Sequence, residues 1–169
     1  SFKYALRFLG KRSAFPPLGL LTVAAMLPAT WEKRLVDLNV RPLHDSDLEW
    51  ADVVFLSGML VQGPSMQEQI ARARALGKRT VVGGPIVSSQ DHSIAGADHQ
   101  VAGEAEEIMP ELIRDLERGE ARPFYKSDTL PDPKLSPVPL FALADMKRYS
   151  SMAVQFSRGC PFTCEFCDI

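Results

Sequence analysis

The stretch VVFLSGMLVQGPSMQEQIARARALGKRTVVGG, residues 53–84, decides the fold. It opens on the unbroken apolar run Val53, Val54, Phe55, Leu56, the pattern of a strand buried on both faces. After a Ser-Gly turn, Met66, Ile70, Ala73 and Leu76 recur at helical spacing, with Ser65 placed to cap the start and Gly77 to end the helix. RTVVGG, 79–84, is again a buried strand. Strand, helix and strand without a hairpin turn make a crossover unit, which requires a parallel sheet.

The same alternation extends outward. KYALRFL, 3–9, reads as a strand, and Pro16 and Pro17 open a helix running to about Leu27 that is apolar nearly all round. KRLVDLN, 33–39, reads as a second strand, which makes 51–58 the third and 79–84 the fourth. A short helix over 88–95 and a fifth strand over 97–103 follow. EAEEIMPELIRDLERGE is amphipathic, with Ile108, Met109, Leu112, Ile113 and Leu116 on one face, acids in the first turn and Gly119 after the end. Pro110 lies within its first two turns and allows a slightly later start. The fold class is α/β: a doubly wound, five-stranded parallel sheet, Rossmann-like, over residues 1–119. Residues 120–150 carry Pro123, Pro131, Pro133, Pro137 and Pro139 and read as an extended linker. Strand character returns in SMAVQFSRG, so 151–169 reads as the start of a second domain that is cut short.

Composition narrows the classes of function. With 46% hydrophobic and 24% charged residues, the chain is of ordinary globular type. A net charge of -2 gives no electrostatic case for nucleic acid. No apolar run approaches the ~20 residues of a membrane span, and the first residues do not form a signal peptide. All three cysteines fall in the last ten residues, an odd number in one cluster, which argues against a disulfide framework and for a reducing, cytoplasmic setting.

Those cysteines, Cys160, Cys164 and Cys167, are spaced C-x-x-x-C-x-x-C. Thiolates select zinc and iron–sulfur clusters. A structural zinc site needs a fourth ligand, and none of His44, His92 and His99 is near in sequence. Three thiolates on a four-iron cube leave one iron open for chemistry. This motif, with Phe166 just before its last cysteine and a strand before its first, resembles the radical S-adenosylmethionine enzymes. The resemblance implies a truncated first strand of a β/α barrel and a [4Fe-4S] cluster on Cys160, Cys164 and Cys167. It further implies S-adenosylmethionine beside Phe166, cleaved by an electron from the cluster to a 5′-deoxyadenosyl radical.

Ligands of an open parallel sheet sit beyond the carboxyl ends of its strands. The loops there are rich in glycine and suit a flavin, a nucleotide or a corrinoid. A G-x-G-x-x-G fingerprint and a Walker A sequence are both missing. Ser57-Gly58-Met59-Leu60 after one strand and Gly83-Gly84 after the next resemble the cobalamin-binding fold of corrinoid methyltransferases and mutases, over about residues 3–118. The resemblance implies that Pro17, Gly19, Ser57, Gly58, Met59, Leu60, Gly83, Gly84, Pro85, Gly103 and Glu104 face cobalamin. The loop GKRSAFPPLG lacks the Asp-x-His-x-x-Gly that supplies a lower cobalt ligand in many members. No histidine ligand is therefore expected. That departure, with PPLGL at 16–20, resembles the cobalamin-dependent radical S-adenosylmethionine branch.

The expected function is that of the N-terminal part of such an enzyme. It would transfer a methyl group to an unactivated carbon of a small molecule, a lipid or tetrapyrrole among the candidates, or cyclise or rearrange it, with an electron donor as partner. The 169 residues alone are expected to be inactive, with no catalytic side chain of their own. The alternatives are a non-catalytic corrinoid-binding module and a flavodoxin-like domain with a metal-binding cysteine tail. Each bland reading stands beside these: PPLGL as a helix start, Gly83 and Gly84 as a tight turn, and GEAE at 103–106 as the opening of a helix.

Overall fold

Four parallel strands lie side by side in chain order: β1 (Val53–Ser57), β2 (Arg79–Gly83), β3 (His99–Ala102) and β4 (Phe124–Lys126). They belong to a computed structural model that describes residues 6, 8–88, 94–158 and 162. The helices are α1 (Leu18–Met26), α2 (Asp45–Trp50), α3 (Gly63–Ala75), α4 (Pro85–Ser88) and α5 (Ala105–Arg118).

Side chains alternate across a strand, so adjacent residues of β2 and β3 serve opposite faces. Val82 and Ala102 pack with Met66 and Ile70 of α3 and with Ile86 and Val87 of α4. Val81 and Val101 pack with Ile108, Met109, Leu112 and Leu116 of α5, and Val23 and Met26 of α1 join that side. Helices thus cover both faces, which is the doubly wound arrangement expected for these runs.

Local chemistry sets the helix bounds. α3 starts at Gly63 with Pro64 in its first turn, two residues ahead of the Ser65 expected to cap it. A prolyl ring is already shaped for that turn, where no backbone donor is needed. It stops at Leu76, and Gly77 follows at φ +66°. α5 ends on Gly119 at φ +71°, with Glu120 N–H donating to the Asp115 carbonyl at 2.8 Å. Pro110 sits inside α5, and the start is not delayed. A proline this early forfeits a single intrahelical bond, while the buried stripe holds the rest. Of the short helix expected over 88–95, residues 89–93 lie outside the described residues and 94–95 are not helical; the helix observed nearby, α4, precedes it and ends at Ser88.

Three expectations for strands change. Residues 33–39 join no ladder; they run extended into a turn in which Asp37 accepts from Asn39 N–H at 2.8 Å. A cavity separates them from the free edge of β1, so their backbone has no strand to pair with. Of the strand expected at 3–9, residues 3–5 and 7 lie outside the described residues, and Leu6 and Phe8 are helical. Residues 152–158 make no ladder with any of the described residues either. The described sheet therefore has four strands, not five.

The fourth strand lies inside the proline-rich stretch. Tyr125 is buried, and its hydroxyl donates to Asp115 at 2.7 Å while accepting from Arg122 N–H at 2.8 Å. The rest of that stretch packs on the domain. Leu140 N–H donates to the Leu21 carbonyl at 2.9 Å, and Ser13 bridges Tyr149. It is a strap, not a free spacer.

Candidate functional site

The carboxyl ends of β1 and β2 are joined through their loops. Ile86 N–H donates to the Gly58 carbonyl at 3.0 Å. Gly84 takes φ +86° with Ser57 directly behind it; a Cβ there would stand 2.4 Å from the Ser57 Oγ. Met59 N–H donates to the Gln62 side chain at 2.8 Å, which closes the short turn over Leu60–Gln62. Val61, at the tip of that turn, is 89% exposed, and Met59 and Leu60 are exposed beside it. An apolar rim of this kind marks a surface that something covers.

Against these loops lies a cavity of about 1190 Å³, larger than the ~300–1,000 Å³ of an ordinary small-molecule pocket. Pro17, Gly19, Ser57, Gly58, Met59 and Pro85 line it, so six residues expected at one site do meet there. α1 forms one wall and β1 another, and the cavity continues along the β1 edge to Asp52 and Arg79. The apolar character of α1 on every side fits this position between sheet and cavity.

Leu60, Gly83, Gly84, Gly103 and Glu104 do not line the cavity. Gly83 packs on β3, where an added Cβ would sit 3.5 Å from the Val101 carbonyl oxygen. Gly84 supports Ser57 from behind. Gly103, at φ +95°, makes room for Ser127, whose carbonyl oxygen would lie 2.2 Å from a Cβ. Glu104 stands at the residue before α5, without a side-chain capping bond, and pairs with Arg158 at 3.1 Å. Both residues of the GEAE stretch thus answer first to the fold.

Neither of the two described histidines, His44 and His99, lines the cavity. His44 precedes α2, and its backbone N–H donates to Asp47 at 3.1 Å. His99 starts β3 at the opposite end of the sheet, its Nδ1 2.8 Å from the Arg122 carbonyl. His92, Cys160, Cys164, Phe166 and Cys167 lie outside the described residues. Among the described residues no cluster of His, Cys, Asp and Glu is arranged for a metal ion, and no helix is long and apolar enough to cross a membrane. Asp37 accepts from Asn39 and, at 3.0 Å, from the Tyr149 hydroxyl, and Lys11 donates to the Lys147 carbonyl at 3.0 Å. Asp37 and Lys11 thus hold the strap, while Asp37 and Asn39 also line the cavity.

One charged cluster escaped the sequence reading. Arg158 is buried against Glu104, Glu106 and Ser136. Burial alone would raise the Glu106 pKa, but hydrogen bonds from Arg158 and Ser136 outweigh it and hold the carboxyl below its ordinary value. The Glu106 hydrogen bond in turn keeps Arg158 firmly protonated.

Residues 12–113 match the family described as B12 binding domain. The chain belongs to that family. Membership supports cobalamin as the ligand of the fold and agrees with a Rossmann-like parallel sheet. An uncharacterized methyltransferase of Synechocystis is 45% identical over 100% of this chain and 32% of its own length. The hopanoid C-2 methylase of Rhodopseudomonas palustris is 37% identical over 100% of the chain and 33% of its own. The anaerobic magnesium-protoporphyrin IX monomethyl ester cyclase of Synechocystis is 27% identical over 92% and 38%. The chain spans about a third of the length of the first two of these relatives.

Proposed function

We propose that this B12-binding domain is the N-terminal part of a cobalamin-dependent radical S-adenosylmethionine enzyme. The reaction is methyl transfer to an unactivated carbon of a small molecule, or cyclisation of one. The observation that carries the reading is the convergence of Pro17, Gly19, Ser57, Gly58, Met59 and Pro85 on one large cavity at the carboxyl ends of the strands, within a B12-binding fold. The relatives' names, two methyl-transferring and one cyclising, support the choice of reaction.

The donor set suits a corrinoid. Gly58 and Gly84 keep side chains out of the loops, Ser57 offers a hydroxyl, and α1 with Met59 offers apolar surface. Cys160, Cys164 and Cys167 are proposed to hold a [4Fe-4S] cluster, with S-adenosylmethionine beside Phe166. Cluster, S-adenosylmethionine and cobalamin would supply the radical and methyl chemistry, while this chain orients them and excludes water. A hopanoid-like lipid or a tetrapyrrole is the proposed substrate class. A reducing cytoplasm and a one-electron donor complete the proposal.

The test uses the full-length polypeptide under anaerobic conditions. Hydroxocobalamin should bind with a base-off spectrum, and Gly58→Val should weaken binding by about tenfold, some 1.4 kcal/mol. A Cβ at Gly58 already meets Gln62 Oε1 at 3.0 Å and Met66 Cε at 3.1 Å, so the larger side chain must displace Gln62 and Met66, both of which line the cavity. Iron and sulfide should yield a visible band that Cys160→Ala abolishes. A polypeptide that takes up neither corrinoid nor iron–sulfide refutes the proposal.

A further inference from the structure

Residues 151–157 lead to the cysteines and make little contact of their own. Val154 is 77% and Phe156 96% exposed, and only Ala153 is half-buried. Arg158 ends this exposed stretch with a side chain only 8% exposed. Its Nη2 donates to Glu106 Oε1 and, at 2.9 Å, to Ser136 Oγ; its Nη1 lies 3.1 Å from Glu104 Oε2. Ser136 Oγ also donates to Glu106 Oε1, at 2.5 Å.

The acceptors occupy one place in the fold. Glu104 immediately precedes α5 and Glu106 stands in its first turn, shortly after Gly103 at the carboxyl end of β3. A carboxylate there gains from the helix dipole. The guanidinium is held by hydrogen bonds from Nη2 to Glu106 and Ser136 and by an ion pair from Nη1 to Glu104, while Nε makes no hydrogen bond among the described residues. Arg158 is two residues from Cys160, a reach of no more than about 7 Å of extended chain.

We infer that Arg158 is a positioning residue: its ion pairs to Glu104 and Glu106 fix the end of the segment 152–158, which leads in sequence to the cysteines, at the carboxyl-end rim of the sheet. This sets the distance between the iron–sulfur cluster and the corrinoid. The inference rests on the functional reading above, since the two cofactors supply its purpose. The GEAE stretch then has a role beyond starting a helix, as the receptor for that arginine.

The experiment compares the full-length polypeptide with Arg158→Ala, Arg158→Lys, Glu106→Gln and the exchange Arg158→Glu with Glu106→Arg. Hydrogen exchange of peptides covering 150–158, without cofactors, should speed up about tenfold or more in Arg158→Ala and Glu106→Gln. After loading, corrinoid and iron content should match wild type. The magnetic coupling between the reduced cluster and cob(II)alamin should weaken or broaden in the single variants. Arg158→Lys should recover part of it, since an ammonium keeps the charge but not the fork. The charge exchange should recover more than either single change. Normal loading with unchanged exchange and unchanged coupling overturns the inference. So does a loss of global stability that accounts for every change and that Arg158→Lys fully repairs. A wild-type polypeptide that loads neither cofactor defeats the functional reading; the exchange data, taken without cofactors, separately decide whether Arg158 holds the segment in place.

Discussion

Gly84 and Ser57 are in contact at the carboxyl ends of neighbouring strands, so close that the backbone of one excludes any side chain because of the hydroxyl of the other. A Cβ on Gly84 would lie 2.4 Å from Ser57 Oγ, and the glycine holds φ +86°. Gly84→Ala therefore carries two penalties, strain at positive φ and a clash. We expect a loss of about 1–3 kcal/mol in urea unfolding. Adding Ser57→Gly should relieve the clash but not the strain, so the double variant should remain less stable than Ser57→Gly alone. Equal stabilities would mean that the positive φ costs nothing.

Gly103→Ala should be worse than Gly84→Ala. The obstacle is the Ser127 carbonyl oxygen, 2.2 Å away, and a backbone atom cannot rotate aside as a hydroxyl can. The expected result is separation of β4 from β3, seen as faster hydrogen exchange over 124–127 and a lower unfolding midpoint. A crystal structure of the variant with β4 in place would contradict this.

Asp47 makes the fold sensitive to acid. It accepts from Arg41 at 2.6 and 2.9 Å and from His44 N–H at 3.1 Å. The Arg41 hydrogen bonds prevail over burial and hold its pKa well below the ordinary value. With the folded pKa depressed, the contribution is complete above the unfolded value near pH 4 and is lost as pH falls through the folded value. Asp47→Asn should cost about 1–2 kcal/mol at neutral pH, a modest figure because Arg41 is partly exposed. It should also flatten the stability profile below pH 4, measured by chemical unfolding from pH 2 to 7.

Tyr149 should act in the alkaline range. Burial and the neighbouring Asp37 carboxylate, which accepts from its hydroxyl at 3.0 Å, raise its pKa. A raised folded pKa places the stabilisation below the unfolded value of about 10 and removes it as pH climbs through the folded one. Tyr149→Phe should cost about 0.5–1.5 kcal/mol at pH 8, and the gap to wild type should narrow above pH 10. Detachment of the strap, read by proteolysis near 145–151, should accompany it.

The elements that were legible share one cause: their signal lies within a few residues. The run Val53–Leu56, the Met66–Ile70–Ala73 stripe and the Ile108–Leu116 face each state their environment locally. Residues 33–39 carry the same apolar pattern, yet form no strand, because a ladder needs a partner edge that period alone does not supply. Phe124–Lys126 pairs despite the prolines around it, since Tyr125 inserts between Asp115 and Arg122. Among the expected ligand residues, Ser57 through Met59 met Pro17, Gly19 and Pro85 at one cavity, whereas Gly84 and Gly103 are required by backbone approaches that leave no local trace.

Sequence by itself determined that this chain is a parallel α/β domain with a corrinoid-type pair of loops and a cysteine triplet, because periodicity, glycine placement and ligand spacing are short-range properties. Tertiary structure alone decided that Arg158 meets Glu104 and Glu106, and that the proline-rich stretch wraps back onto the sheet. Those pairings join residues tens of positions apart, and a charge or a tyrosine in the sequence does not say which distant partner will be brought within a hydrogen bond of it.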